Sequence, residues 1–117
     1  MRASFRTSLA ATGFAVAACA ALLGAVVPAS AKPARCFTTD DGYYPCDFRG
    51  TDRYGSFEIS GRGKPTFSLI VERPGFASGY ADFGTGRNVP LPGMYVRERD
   101  EPACWSNPET STKICAW

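Results

Sequence analysis

The fold is decided by a stretch at positions 55–72, which reads GSFEISGRGKPTFSLIVE. Apolar and polar residues alternate on both sides of its centre, so that Phe57 and Ile59 share one face, as do Phe67 and Leu69. This period of two predicts two half-buried β-strands. The glycines and proline between them favour a tight connection, and the stretch therefore predicts a β-hairpin.

Five further short runs have a strand-like composition and are separated by turn residues. They lie at positions 43–49, 76–83, 93–99, 103–106 and 113–117. No window after the first 31 residues keeps a 3.6-residue period for more than two turns. The sequence therefore predicts an all-β domain, a small antiparallel sandwich or partly open barrel of about seven short strands, with residues 32–35 as a loose leading segment.

The start of the chain has the pattern of a cleavable secretion signal. Arg2 and Arg6 precede an uncharged, mainly apolar run over residues 9–27. A proline ends this run, and Ala29-Ser30-Ala31 supplies the small residues that a signal peptidase recognises. We therefore expect residues 1–31 to be removed.

One alternative is that Cys19, which ends a Val-Ala-Ala-Cys sequence, becomes a lipidated N-terminus. The residues that follow Cys19 remain apolar, which favours cleavage after Ala31 instead. We expect residues 32–117 to form a single domain with a periplasmic or extracellular location and no membrane span.

The charge composition excludes some classes of partner. The chain has 13 Lys and Arg against 11 Asp and Glu, and Arg2 and Arg6 account for the excess. The domain after the signal is therefore formally neutral, which argues against binding to nucleic acid or to an anionic membrane surface. So short a domain buries a limited fraction of its surface and needs covalent stabilisation.

Four cysteines follow the signal, and an even number in an oxidising compartment predicts two disulfides. Spacing favours Cys36 with Cys46 and Cys104 with Cys115, each closing a loop of about 11 residues. The alternative pairing joins the two ends of the domain. The spacing is too wide for a zinc site and the chain has no histidine, so we expect no metal and no other cofactor.

Catalysis would have to rely on carboxylates. There is no histidine to act as general base, and oxidised cysteines are not nucleophiles. The candidates for a carboxylate pair are Asp40, Asp41, Asp47, Asp52, Glu98, Asp100 and Glu101. Neighbouring glycines and arginines are typical of turn capping and solvated strand ends. We therefore expect no catalytic residue.

Several aromatic residues are candidates for binding. Tyr43 and Tyr44 are adjacent, so in a strand they point to opposite faces. Trp105 is followed by polar residues, which predicts a half-exposed ring, and Trp117 is predicted to pack beside Cys115. Exposed Tyr and Trp rings on a rigid scaffold are typical of binding surfaces. The alternative is that these rings cover the disulfides.

Two short elements resemble a known family. Tyr44-Pro45-Cys46 and Ser78-Gly79-Tyr80 are similar to the Tyr-x-Cys and Ser-Gly-x-x-Tyr elements of the periplasmic lysozyme inhibitors of the membrane-bound C-type class. The spacing from serine to tyrosine differs here, and no Trp-Lys-Gly element follows. That family consists of small secreted β-barrels that block lysozyme with a serine-bearing loop. The resemblance implies that Ser78 and Tyr80 are positions to test.

These observations predict a non-enzymatic exported binding module for an envelope protein or a glycan. A second hypothesis is an inhibitor of a secreted hydrolase such as lysozyme, with a protruding segment over residues 76–86 that enters the enzyme's cleft. A third is a carboxylate-based glycan hydrolase. The candidate binding residues are Tyr43, Tyr44, Ser78, Tyr80 and Trp105.

Overall fold

The computed structural model describes residues 31–117, so the predicted secretion signal, apart from its last residue, lies outside the described residues. This part of the chain is all β, as predicted, and it contains no helix that could cross a membrane. Its strands are β1 (Lys32–Thr38), β2 (Gly42–Gly50), β3 (Phe57–Ser60), β4 (Thr66–Arg73), β5 (Phe76–Asp82), β6 (Val89–Pro90), β7 (Tyr95–Arg97), β8 (Cys104–Asn107) and β9 (Thr112–Ala116).

Eight of these strands close into an antiparallel barrel. They follow one another in the order β4-β3-β2-β1-β9-β8-β7-β5, and β5 pairs back onto β4. The two-residue β6 pairs with the end of β5 beside β7. Closure satisfies the edge hydrogen bonds that an open sheet would leave exposed.

The seven predicted strands are all present, with ends that differ from the prediction by no more than two residues. The loose segment predicted for residues 32–35 is wrong, because these residues form the first half of β1. They pair with β2 from Lys32 opposite Phe48 onward, and Arg35 also exchanges backbone hydrogen bonds with Trp117. These residues are ordered because they pair with β2 and with Trp117, and the local composition does not reveal this pairing.

Side chains from the inward faces of the strands fill the barrel. The fully or nearly fully buried ones include Ile59, Leu69, Tyr95 and Ile114. Bulky rings face small residues. A Cβ added at Gly79, for example, would lie 2.5 Å from Cε1 of Tyr95. Such complementary packing is expected in an eight-stranded barrel, whose interior is only wide enough for side chains.

The two disulfides have the local pairing that the spacing favoured. Cys36–Cys46 connects β1 and β2 inside the barrel, where both residues belong to the core. Cys104–Cys115 connects directly opposed residues of β8 and β9. Because Trp105, the neighbour of Cys104, points inward, these two cysteines lie on the outer face of the wall, where both are still buried.

Candidate binding surface

Four side chains form a cluster on the outside of the barrel, and we call it the aromatic–arginine patch: Arg35, Phe37, Tyr43 and Trp117. Phe37 on β1 lies opposite Tyr43 on β2. Trp117 follows β9 and exchanges backbone hydrogen bonds of 2.8 and 3.1 Å with Arg35. Three adjacent strands therefore bring together residues from both ends of the described chain.

The patch is held together by ring contacts and by one cation. The ring centroid of Tyr43 lies 4.9 Å from that of Phe37 and 5.9 Å from that of Trp117. The guanidinium carbon of Arg35 lies 4.3 Å from the Tyr43 centroid and 5.8 Å from the Trp117 centroid. Both distances are within the range of cation–π attraction. Arg35 therefore contacts both exposed rings and stabilises their positions.

The patch combines two exposed aromatic rings with an arginine that forms no ion pair within residues 31–117. The side chains of Tyr43 and Trp117 are 59% and 46% exposed. None of the three ion pairs formed within residues 31–117 involves Arg35. Its guanidinium group can therefore donate hydrogen bonds to a carboxylate or carbonyl of a ligand that covers the rings.

The β1–β2 hairpin, which carries three of the four patch residues, is held by a disulfide and by hydrogen bonds in its turn. In its turn, the hydroxyl of Thr38 donates to the carboxylate of Asp41 and accepts from the Asp41 N–H, both at 3.2 Å. Thr39 is tied to Lys113 by hydrogen bonds of 2.8 and 3.2 Å. The Cys36–Cys46 disulfide fixes the inner side of the same two strands. The rings are thus presented on an element with little freedom to move.

Tyr44 points into the barrel and is only 7% exposed, so the structure places it in the core. Its ring packs on Gly61, where an added Cβ would lie 2.8 Å from Cε2. Its hydroxyl has no hydrogen-bond partner within the described residues. Burial, together with the nearby charge of Asp41, raises the pKa of Tyr44 above its usual value. Tyr44 is out of reach of a ligand on the outer face.

The half-exposed ring predicted for Trp105 is wrong, because only 4% of this residue is exposed. Cys104 and Ser106 take the outward positions on β8, so strand alternation turns Trp105 inward. Trp117, by contrast, is 46% exposed, and its ring lies 5.9 Å from that of Tyr43.

Ser78 and Tyr80 lie on the outer face of β5. This strand is four positions from β1 in either direction around the barrel, so the two residues are remote from the patch. The Ser78 hydroxyl donates to the carboxylate of Glu72 at 2.8 Å. Residues 76–82 form β5 in the barrel wall, so only residues 83–86 of the protruding segment expected for residues 76–86 lie in a loop.

Several candidate carboxylates hold structural contacts. Asp52 accepts hydrogen bonds from the backbone N–H groups of Tyr54 and Ser56, and Glu101 accepts one from Ala103. Glu98 accepts a hydrogen bond from the hydroxyl of Ser106 and pairs with Lys113 at 3.0 Å. Among residues 31–117, no group of three or more His, Cys, Asp or Glu side chains is arranged to hold a metal ion.

The sequence prediction included Tyr43 and missed the other three members of the patch as binding residues. Strand alternation could have added two of them. In a strand, the residues on either side of Cys36 must share a face. Recognising β1 as a strand would have placed Arg35 and Phe37 together on the outside. The contact with Trp117 depends on the β1–β9 pairing, which no local pattern indicates.

Comparison of the chain with protein-family models, with curated proteins and with solved structures gives no match.

Proposed function

We propose that the protein is an exported, non-enzymatic binding module whose partner contacts the aromatic–arginine patch. The observation that carries the proposal is the pair of exposed rings, Tyr43 and Trp117, braced by Arg35. Trp, Tyr and Arg are the residues that dominate the binding energy of protein interfaces. This composition favours a protein partner, and a glycan that stacks on the rings is the alternative.

Rigidity supports this proposal. A flexible surface loses conformational entropy when it binds, whereas side chains already held in place lose little. Here cation–π contacts hold the rings, and a disulfide and turn hydrogen bonds hold the hairpin. We therefore expect binding to remove water from the two rings and to give Arg35 an acceptor, without refolding of the hairpin.

The test is comparative affinity capture from envelope extracts and culture medium of the producing cells. The folded protein, a Tyr43→Ala/Trp117→Ala variant and a Tyr54→Ala control are immobilised in parallel. Tyr54 is a suitable control because it is 65% exposed and lies outside the patch. We expect a partner that the wild type and the control retain and the double variant loses.

Equal retention by all three proteins would contradict the patch as the binding surface. Treatment of the extract with protease before capture separates the two partner classes. Loss of the captured species after proteolysis indicates a protein, whereas survival indicates a glycan.

The export part of the proposal rests on the two disulfides, which persist in oxidising compartments. Mass spectrometry of the intact protein from its producing cell should find Lys32 as the first residue and a mass four hydrogens below that of the reduced chain. An oxidised chain that still begins at Met1 would argue against removal of a signal.

A second candidate function, inhibition of a secreted hydrolase, is favoured by the loop after β5. One carboxylate oxygen of Asp82 accepts hydrogen bonds from the backbone N–H groups of Gly84, Thr85 and Gly86, at 2.8, 3.0 and 3.1 Å. Phe83 at the start of this loop is 59% exposed. A preorganised loop with an exposed ring is suited to entering an enzyme cleft.

Inhibition is tested by titrating lysozyme and secreted proteases with the protein up to a few molar equivalents. An inhibitor that uses this loop should lose potency on Phe83→Ala and on Asp82→Ala, because the second change releases the three backbone donors. The Tyr43→Ala/Trp117→Ala variant should inhibit like the wild type. The opposite result would assign the inhibition to the patch.

A further inference from the structure

A cleft of about 540 Å³ opens at the end of the barrel where β4 turns into β5. It is lined by Tyr54, Val71, Glu72, Arg73, Arg97 and Trp105, among others. Its size falls within the range of small-molecule sites in proteins. We call it the Arg73–Arg97 cleft, and it is separate from the aromatic–arginine patch on the outer face.

The two arginines in this cleft are not neutralised by the protein. The ion pairs formed within the described part of the chain involve Arg49, Lys64 and Lys113. Arg97 donates through Nε to the carbonyl of Pro102 at 2.8 Å, which orients the guanidinium group and leaves its terminal nitrogens free of protein partners in residues 31–117. The backbone N–H of Arg97 donates a hydrogen bond to the carbonyl oxygen of Gly75 at 2.9 Å.

A β-bulge positions the other arginine. The register between β4 and β5 shifts between Val71 and Arg73, so that Arg73 lies opposite Phe76. The guanidinium carbon of Arg73 lies 4.0 Å from the centre of the Phe76 ring. Bulges redirect side chains and are frequent beside functional sites. The bulge thus places Arg73 at the rim of the cleft, with its guanidinium group stacked on the Phe76 ring.

The wall between the arginines is apolar. The guanidinium carbon of Arg97 lies 5.6 Å from the ring centre of Trp105, and Val71 and the ring of Tyr54 extend the same wall. The carboxylate of Glu72 at the rim is engaged by Ser78. Two arginines and one glutamate leave the lining with a single positive charge, which matches a monoanion better than a dianionic phosphate.

We infer that the Arg73–Arg97 cleft binds a small organic carboxylate with an apolar or aromatic body. The guanidinium group of Arg97 donates to the carboxylate oxygens, a geometry that the planar fork of arginine favours, and Arg73 at the rim adds a second positive charge. The body lies against Tyr54 and Val71 and reaches the small exposed part of Trp105. No covalent step is involved, and the site is independent of a partner at the patch.

The test is an NMR titration of the ¹⁵N-labelled protein, followed through the indole N–H signal of Trp105 and the backbone signal of Gly75. The probes are phenylacetate, its neutral amide phenylacetamide and phenyl phosphate. We expect saturable shifts with phenylacetate at a Kd of about 1 mM. Phenylacetamide should bind about tenfold more weakly, because it lacks the charge that the arginines recognise.

Arg97→Gln and Arg73→Gln should each weaken phenylacetate binding about tenfold, whereas Arg87→Gln, in the loop at the opposite end of the barrel, should leave it unchanged. Thermal unfolding checks that the variants are folded. Because Arg97 also holds Pro102, Arg73→Gln decides the question if Arg97→Gln is unstable. Equal binding of phenylacetamide, tighter binding of phenyl phosphate, or an unchanged Kd in Arg73→Gln would overturn the inference.

Discussion

The inner and outer faces of the β1–β2 hairpin differ in what holds their side chains. On the inner face, the Cys36–Cys46 disulfide and the Tyr44 ring are enclosed by the rest of the barrel. On the outer face, Tyr43 contacts Phe37, Trp117 and Arg35, and more than half of it is still exposed. Two adjacent tyrosines of one strand thus have separate roles, since one contributes to folding and the other is available to a partner.

This difference explains how so short a domain can present a large exposed aromatic surface. Apolar exposure is tolerated when the scaffold beneath does not depend on it. Here the core, the β4–β5 pairing that closes the barrel and both disulfides are formed by residues other than the four of the patch. Substitutions on the two faces should therefore separate stability from binding.

The largest expected effect is that of Tyr44→Ala. Removing this buried ring should lower the free energy of unfolding by about 3–5 kcal/mol, because the barrel cannot close over the cavity. Tyr43→Ala should lower it by less than about 1 kcal/mol, because the ring is mostly in water. Urea denaturation of both variants measures the difference. Similar losses at the two positions would remove the distinction between the faces.

The disulfides offer a second comparison. Replacing either pair by serines opens a loop of about 11 residues, and each change should destabilise the protein by about 2–5 kcal/mol. The two variants should lose similar amounts of stability, because all four cysteines are buried and each variant places two hydroxyl groups in a buried position. Denaturant midpoints compare the variants. A clear difference between them would show that one disulfide dominates.

A smaller effect of the opposite sign is expected for Tyr44→Phe. The buried hydroxyl of Tyr44 has no partner among the described residues, and an unsatisfied buried polar group lowers stability. Removing it should therefore stabilise the protein by about 1 kcal/mol. Tyr43→Phe is the matched control and should leave the denaturation midpoint unchanged. A clear loss of stability in Tyr44→Phe would mean that this hydroxyl has a partner.

The smallest effect concerns acid stability on the outer face. The hydroxyl of Ser106 and the ammonium group of Lys113 hold the pKa of Glu98 below its ordinary value of 4.5. A carboxyl group whose pKa is lowered by folding stabilises the protein above its unfolded pKa, and this contribution is lost as the pH falls through the folded pKa.

Glu98→Gln should therefore lower the melting temperature slightly at neutral pH and converge with the wild type as the pH falls through the lowered pKa of Glu98. Thermal unfolding over a pH series measures this convergence. Asp47→Asn, at an exposed outward position on β2, is the control. A constant offset between Glu98→Gln and the wild type at every pH would mean that the carboxylate charge is not the cause.

Much of the fold could be predicted from local patterns. The alternation over residues 55–72 indicates β3 and β4, and the short spacing of the cysteines favours their local pairing. β1 was not predictable in this way, because Lys32, Pro33 and Arg35 show no apolar alternation and acquire their order from pairing with β2 and with Trp117. The choice between an open sheet and a closed barrel likewise depends on the pairing of β5 with β4.

The candidate surface was less predictable than the fold. Strand alternation alone predicts that Tyr43 and Tyr44 face opposite ways. Which of the two is exposed depends on the face over which the barrel closes, so it is set by the tertiary fold. The tertiary fold also decided that Trp105 is buried and that Trp117 meets Arg35 and Tyr43, because these contacts join residues that are distant in the chain.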